Sequence, residues 1–171
     1  MIKKVAVFGQ TYSVNAEKEI SILLTALEKH NVVVFFEENF YKVIKGLGHL
    51  TKKYPTFASF HDLNSSFNLF FSLGGDGTIL RAITYIRDLN IPILGINTGR
   101  LGFLANIQKN AIQESIDLLI AKKYTIQERT LLSIRTSPAV DSFGEFSFAL
   151  NEITIARENT TSMIGVKTFL D

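Results

Sequence analysis

Apolar and polar positions along the first 120 residues fall into two alternating rhythms. Short continuous apolar runs at 5–8, 32–36, 67–73 and 92–96 read as strands covered on both faces. Between them, apolar residues recur at helical spacing. Ile20, Leu23, Leu24 and Leu27 predict a helix with Asn15 at its N-cap, and Ile79, Ala82, Ile83 and Ile86 predict a second. Ile112, Ile116, Leu119 and Ile120 predict a third, preceded by Asn110 and Gln113 at capping-box spacing. Residues 45–66 carry no clear period, being broken by Gly46, Gly48, Pro55 and a polar Asn64-Ser65-Ser66 turn. Strands alternating with helices in this way predict an open, mainly parallel α/β sheet.

Past Lys123 the period becomes two. Leu132 and Ile134, then Phe146, Phe148 and Leu150, then Ile153 and Ile155, then Ile164 and Val166 alternate with polar or small residues. That pattern predicts an antiparallel sheet with one face buried. The expected organisation is therefore an α/β domain over residues 1–124 followed by the beginning of an all-β domain over 125–171. The apolar parity is even through Leu150 and odd from Ile153, which predicts a bulge or break at Asn151-Glu152. Residues 164–170 read as a strand with no closing partner, so the sheet is expected to be completed in a longer protein.

Composition narrows the chemistry. The chain has 171 residues, 46% of them hydrophobic, with fourteen phenylalanines, which suits a well-packed globular protein. The net charge of +2 comes from interspersed charges, without the basic stripe of a nucleic-acid binder. With no cysteine, disulfides, thiol catalysis and cysteine-ligated zinc are excluded. His30, His49 and His61 lack metal-ligand spacing, and no residue is assigned as a metal ligand. No apolar run approaches the ~20 residues needed to span a bilayer, and no signal-peptide pattern opens the chain. A soluble cytoplasmic protein is expected.

Three motifs carry the functional reading. In Gly74-Gly75-Asp76-Gly77-Thr78, three glycines enclose one carboxylate where a strand turns into a helix. Glycines let a backbone approach an anion closely, and a helix N-terminus attracts negative charge. An acid in that setting repels phosphate and so calls for a role of its own. The motif is neither a Walker A loop nor a dinucleotide fingerprint, and a plain tight turn is the competing reading. The second motif, 97–104 (Asn-Thr-Gly-Arg-Leu-Gly-Phe-Leu), follows the next strand, so both lie on the rim where open α/β sheets bind ligands. Phe103 is either a core residue or a platform for a flat ring. The third, Leu150-Asn151-Glu152, offers an amide suited to a base edge and a carboxylate able to accept from ribose hydroxyls.

Together, in order and spacing, these motifs resemble those of the NAD kinase family, and the resemblance covers essentially the whole chain. The glycine motif alone is shared with 6-phosphofructokinases and diacylglycerol-type lipid kinases, whereas the second and third motifs are specific. The resemblance implies an α/β domain followed by a β-sandwich. It implies a phosphotransferase acting on an alcohol group, moving the γ-phosphoryl of ATP, or of polyphosphate, to the 2′-hydroxyl of the adenosine ribose of NAD. By matching position, Asp76 would be the catalytic acid-base residue. Gly74, Gly75, Gly77 and Thr78 would form the phosphate-binding turn, Phe103 would pack near adenine, and Asn151 and Glu152 would hold the adenosine. Mg²⁺ or another divalent cation would accompany ATP, and a homo-oligomer (dimer or tetramer) would form at full length. A later glycine- and threonine-rich stretch of the family does not occur within residues 1–171, so the chain is expected to be an inactive N-terminal portion. The alternatives are a lipid or sugar kinase sharing the glycine turn, and a non-catalytic nucleotide-binding module.

Overall fold

The computed structural model describes residues 2–10, 17–48, 50, 52–99, 102–138, 147–157 and 163–169. They divide into two compact units, Met1–Gln127 and Glu128–Asp171.

The first unit is a six-stranded parallel sheet with helices on both faces. In chain order its elements are β1 (Lys4–Gly9), α1 (Glu17–Lys29), β2 (Val33–Glu37), α2 (Glu38–Gly46), β3 (Thr56–Phe57), β4 (Leu69–Gly74), α3 (Asp76–Ile86), β5 (Ile93–Asn97), β6 (Ile107–Gln108) and α4 (Ile112–Ile120). The strands lie in the order β3-β2-β1-β4-β5-β6, every neighbouring pair parallel. This is the doubly wound order, whose direction of winding reverses between β1 and β4. Because side chains alternate across a strand, the sheet builds two cores. Val5, Val7, Val34, Phe36, Leu69, Phe71 and Leu73 pack with Ile20, Leu23 and Leu27 of α1 and Ile112, Ile116 and Leu119 of α4. Ala6, Phe8 and Phe70 face the other way, onto Ala82 and Ile86 of α3.

The α/β expectation is met, and the departures from it are local. The helix α2 was not anticipated in the sequence. It starts directly from the end of β2, with Glu37 capping it by accepting the Phe40 N–H at 2.8 Å. The expected capping box at Asn110 does not form. Asn110 lies in a 3-10 turn, Lys109–Ala111, and α4 begins at Ile112 without a side-chain cap. Gln113 instead donates to Asp117 one turn along, at 3.2 and 3.3 Å. The proposed N-cap Asn15 lies outside the described residues. The Asn64 turn is present, its Oδ1 accepting the Ser66 N–H at 3.0 Å.

In the second unit, β7 (Leu132–Ser133) pairs antiparallel with β8 (Phe148–Ala149). The chain bends at Leu150 and Asn151, a break at the position of the parity flip. Ile153, Ile155, Ile164 and Val166 are exposed rather than buried on one face. Among the described residues no helix is long and apolar enough to cross a membrane.

Two carboxylates tie the first unit to pH. The Ala58 and Ser59 N–H groups, at 2.8 and 2.9 Å, hold the Asp62 carboxyl below its ordinary value. Hydrogen bonds from Lys52 and Tyr54 do the same to Glu28, whose ordinary value is 4.5. Depressed in the fold, these groups add stability that is full above their unfolded values and is lost as pH falls through the folded ones. Thermal midpoints are therefore expected to drop on acidification below about pH 4.5. The drop should be smaller in the Glu28→Gln, Asp62→Asn double variant. Parallel acid limbs in parent and variant would contradict this assignment.

Candidate functional site

The glycine turn sits where β4 gives way to α3. Gly74, the last residue of β4, is buried and has φ +153°, a left-handed value that glycine alone adopts readily. A Cβ there would lie 2.8 Å from the Thr78 Cβ and closer still to its hydroxyl. Gly74 and the buried Thr78 are therefore packed against each other. Gly75 is the N-cap of α3 and supplies no side-chain cap, while its carbonyl accepts the Thr78 N–H at 2.9 Å. Gly77 is exposed, with open space where a Cβ would stand. The first turn of α3 thus presents a bare glycine backbone at its positive end.

The second motif is brought against this turn by strand register. Gly74 pairs with Asn97, the last residue of β5. Asn97 is buried, and its Oδ1 accepts the Gly99 N–H at 2.8 Å, turning the chain over the rim. Arg100 and Leu101 lie outside the described residues. The loop then returns onto Asp76. Oδ2 of Asp76 accepts the Phe103 N–H at 2.7 Å, and Oδ1 accepts those of Leu104 and Ala105 at 2.9 and 3.1 Å. Three successive backbone N–H groups form a concavity suited to an anion, and the protein's own carboxylate occupies it.

Close packing fixes that arrangement. A Cβ on Gly102 would stand 2.5 Å from the Asp76 Cγ and inside contact distance of Oδ1. A Cβ on Gly95 of β5 would lie 2.5 Å from Ile79 Cδ1 and 2.8 Å from Ala105 Cα. The loop at 102–105 is therefore wedged between β5 and the start of α3, with glycine wherever a methyl group would force it out. Phe103 is held by its backbone while its ring is 91% exposed, so it is not a core residue.

Of the residues singled out in the sequence, the structure brings Gly74, Gly75, Asp76, Gly77, Thr78 and Phe103 together in the first unit. Asn151 and Glu152 are exposed residues of the second unit. His61 is exposed, His30 lies 3.7 Å from Asp117, and His49 is outside the described residues. Among the described residues there is no group of three His, Asp or Glu side chains that could hold a metal ion. The sequence reading missed Glu37, Asn39, Arg81 and Tyr85, which gather at the ends of β1 and β2. Its one available signal was a carboxylate closing an apolar run, since an ionised group buried there needs partners.

Residues 5–124 match the model of the ATP-NAD kinase N-terminal domain. The chain is 48% identical over 168 residues to an NAD kinase of Christiangramia forsetii, a match covering 98% of this chain and 57% of that protein. An NAD kinase of Flavobacterium psychrophilum is 44% identical, with the same coverages. One from Bacteroides fragilis is 34% identical, again over 98% and 57%. The chain thus spans a little over half the length of these curated relatives. A crystal structure of yeast NADH kinase complexed with NADH superposes with a TM-score of 0.63, covering 77% of this chain and 42% of that one. At 19% identity that likeness shows a shared fold.

Proposed function

The chain belongs to the NAD kinase family through its N-terminal domain, and on that footing we propose that it carries the catalytic half of an ATP-dependent kinase acting on the 2′-hydroxyl of the adenosine ribose of NAD. The observation that carries the reading is the Asp76 carboxylate, anchored by three backbone N–H groups where the two rim motifs meet. A loop-to-helix turn that merely reverses the chain has no use for a charged group so placed. An acid fixed beside an anion-binding helix start serves to take a proton from a hydroxyl nucleophile.

In the proposed reaction, O2′ of the ribose forms a bond to the γ-phosphorus. The bond from that phosphorus to the β–γ bridging oxygen breaks, and ADP departs with the electron pair. The hydroxyl proton passes to Asp76. Phosphoryl transfer asks mainly for alignment and charge stabilisation. Gly75 and Gly77 are assigned to the phosphates, since they leave backbone uncovered at the helix start. Gly74 and Thr78 are assigned to building the turn. Phe103 is assigned to the adenine as a ring platform, and Asn151 and Glu152 to the adenosine. The described residues offer no metal cage of their own. A divalent cation would accordingly arrive on the phosphates of the donor, as Mg²⁺ commonly does.

The test uses the intact protein, NAD, and ATP labelled in its γ-phosphate. Label is expected on the 2′-oxygen of the adenosine ribose. Label on another hydroxyl, or transfer to a diacylglycerol or a hexose in preference to NAD, would overturn the reading.

A further inference from the structure

A second concave site lies on the same rim, beside the β1–β4 reversal. Its volume is about 400 Å³, within the range of roughly 300–1,000 Å³ usual for small-molecule sites. It is walled by Phe8 and Gln10 at the end of β1, Glu37 at the end of β2, Asn39 and Phe40 of α2, and Arg81, Thr84 and Tyr85 of α3. Gly9 has no room for a Cβ, which would meet the Phe40 ring at 2.6 Å, so the aromatic wall closes directly on the strand.

The polar groups of this pocket are organised. Glu37 is 3% exposed. Its Oε2 accepts the Phe40 N–H at 2.8 Å, its Oε1 accepts from Asn39 Nδ2 at 3.1 Å, and the Tyr85 hydroxyl bonds to it as well. Three of the roughly four lone-pair sites of a carboxylate are thereby engaged. Burial, and after it the Glu37 charge, pushes the Tyr85 hydroxyl up from its ordinary value, while Arg81 pulls it the other way. The pocket therefore combines apolar ring walls, amides at Gln10 and Asn39 that both donate and accept, a buried carboxylate, and one cation. That set suits a flat heterocycle bearing a hydroxylated sugar and an anionic tail. Arg81 lies five residues beyond Asp76 on α3, about 7–8 Å along the helix axis. An occupant whose tail passes Arg81 has its far phosphate at the glycine turn.

We infer that this pocket takes the adenosine end of the phosphoryl donor, with Arg81 on its phosphate chain and the γ-phosphate delivered to Gly75, Gly77 and Asp76. The inference rests on the kinase reading above and adds to it where the donor nucleoside sits. It leaves the Phe103 platform to the acceptor.

The test is calorimetric titration of this chain, in parent form and as Thr84→Phe, with ATP, inorganic tripolyphosphate and adenosine as probes. Thr84 is half-buried in the middle of α3, and its hydroxyl bonds only back to the Arg81 carbonyl, so a phenyl group there fills the pocket without removing a capping bond. ATP affinity is expected to fall at least tenfold in the variant while tripolyphosphate affinity stays unchanged. Adenosine should compete with ATP in the parent. Equal ATP affinity in the two proteins would overturn the pocket assignment and leave the kinase reading standing. Failure of the parent to bind either ATP or tripolyphosphate would overturn both. If Thr84→Phe does not fold, amide exchange in the parent decides. ATP should protect Gln10, Asn39 and residues 81–85 beyond what tripolyphosphate protects, and protection confined to residues 75–78 would overturn the inference.

Discussion

Asp76→Asn in the intact protein is expected to lower kcat by roughly 10²–10⁴, the usual range for removal of a general base, with a much smaller change in KM for NAD. Asparagine keeps the size of the side chain and loses its ability to take up a proton. The structure adds a second effect to the same substitution. Both carboxylate oxygens accept backbone N–H groups, from Phe103 on one side and from Leu104 and Ala105 on the other. An amide NH₂ turned toward either side meets a donor with a donor and loses those bonds. Amide exchange at 103–105 separates the two contributions. Unchanged protection with a collapsed kcat assigns the loss to proton transfer, and faster exchange assigns part of it to loop release. Parent-like turnover would remove Asp76 from the chemistry.

The second large effect is expected at a residue without a side chain. Gly102→Ala places a methyl group against the Asp76 carboxylate, 2.5 Å from Cγ, and one of the two must give way. Whichever moves, the carboxylate shifts relative to the glycine turn, and misplacement by about 1 Å can cost on the order of a hundredfold in rate. The expected result is a fall of that size in kcat together with faster exchange of the Phe103, Leu104 and Ala105 amides. Gly99→Ala is the matched control, because a Cβ there meets nothing within 4 Å. It should remain close to the parent in both measurements. If Gly102→Ala matched that control, the wedge at 102–105 would have no bearing on the site.

Legibility in the sequence followed the length and width of each apolar stripe. The strands β1, β2, β4 and β5, and the helices α1, α3 and α4, announce themselves through unbroken runs or several helical repeats. The nine residues of α2 bury only Phe40 and Ile44, a stripe too narrow to stand out, and they follow β2 without an intervening turn. A period of two in residues 132–166 is a local property, whereas a ladder needs a partner strand. Among the described residues only 132–133 and 148–149 find one another. For the site, the meeting of the two rim motifs could be expected from their positions after adjacent strands. Which donors would face Asp76 could not, because that depends on the path of the loop after Gly102. The pocket around Glu37 was hidden for a related reason. Its walls come from β1, β2, α2 and α3, and no single stretch of chain contains more than a fragment of it.

The six-stranded sheet ends on one side in β3 and on the other in β6, each only two residues long. A strand margin with open N–H and C=O groups is a template on which other chains can polymerise, and brevity is one of the ways proteins blunt it. The four long strands, whose apolar runs would be the dangerous ones, are all enclosed between neighbours. A protein cut after Gln127 would therefore leave no long bare margin on its principal sheet. That makes the first unit a sound candidate for preparation by itself at the concentrations that crystallography and magnetic resonance require.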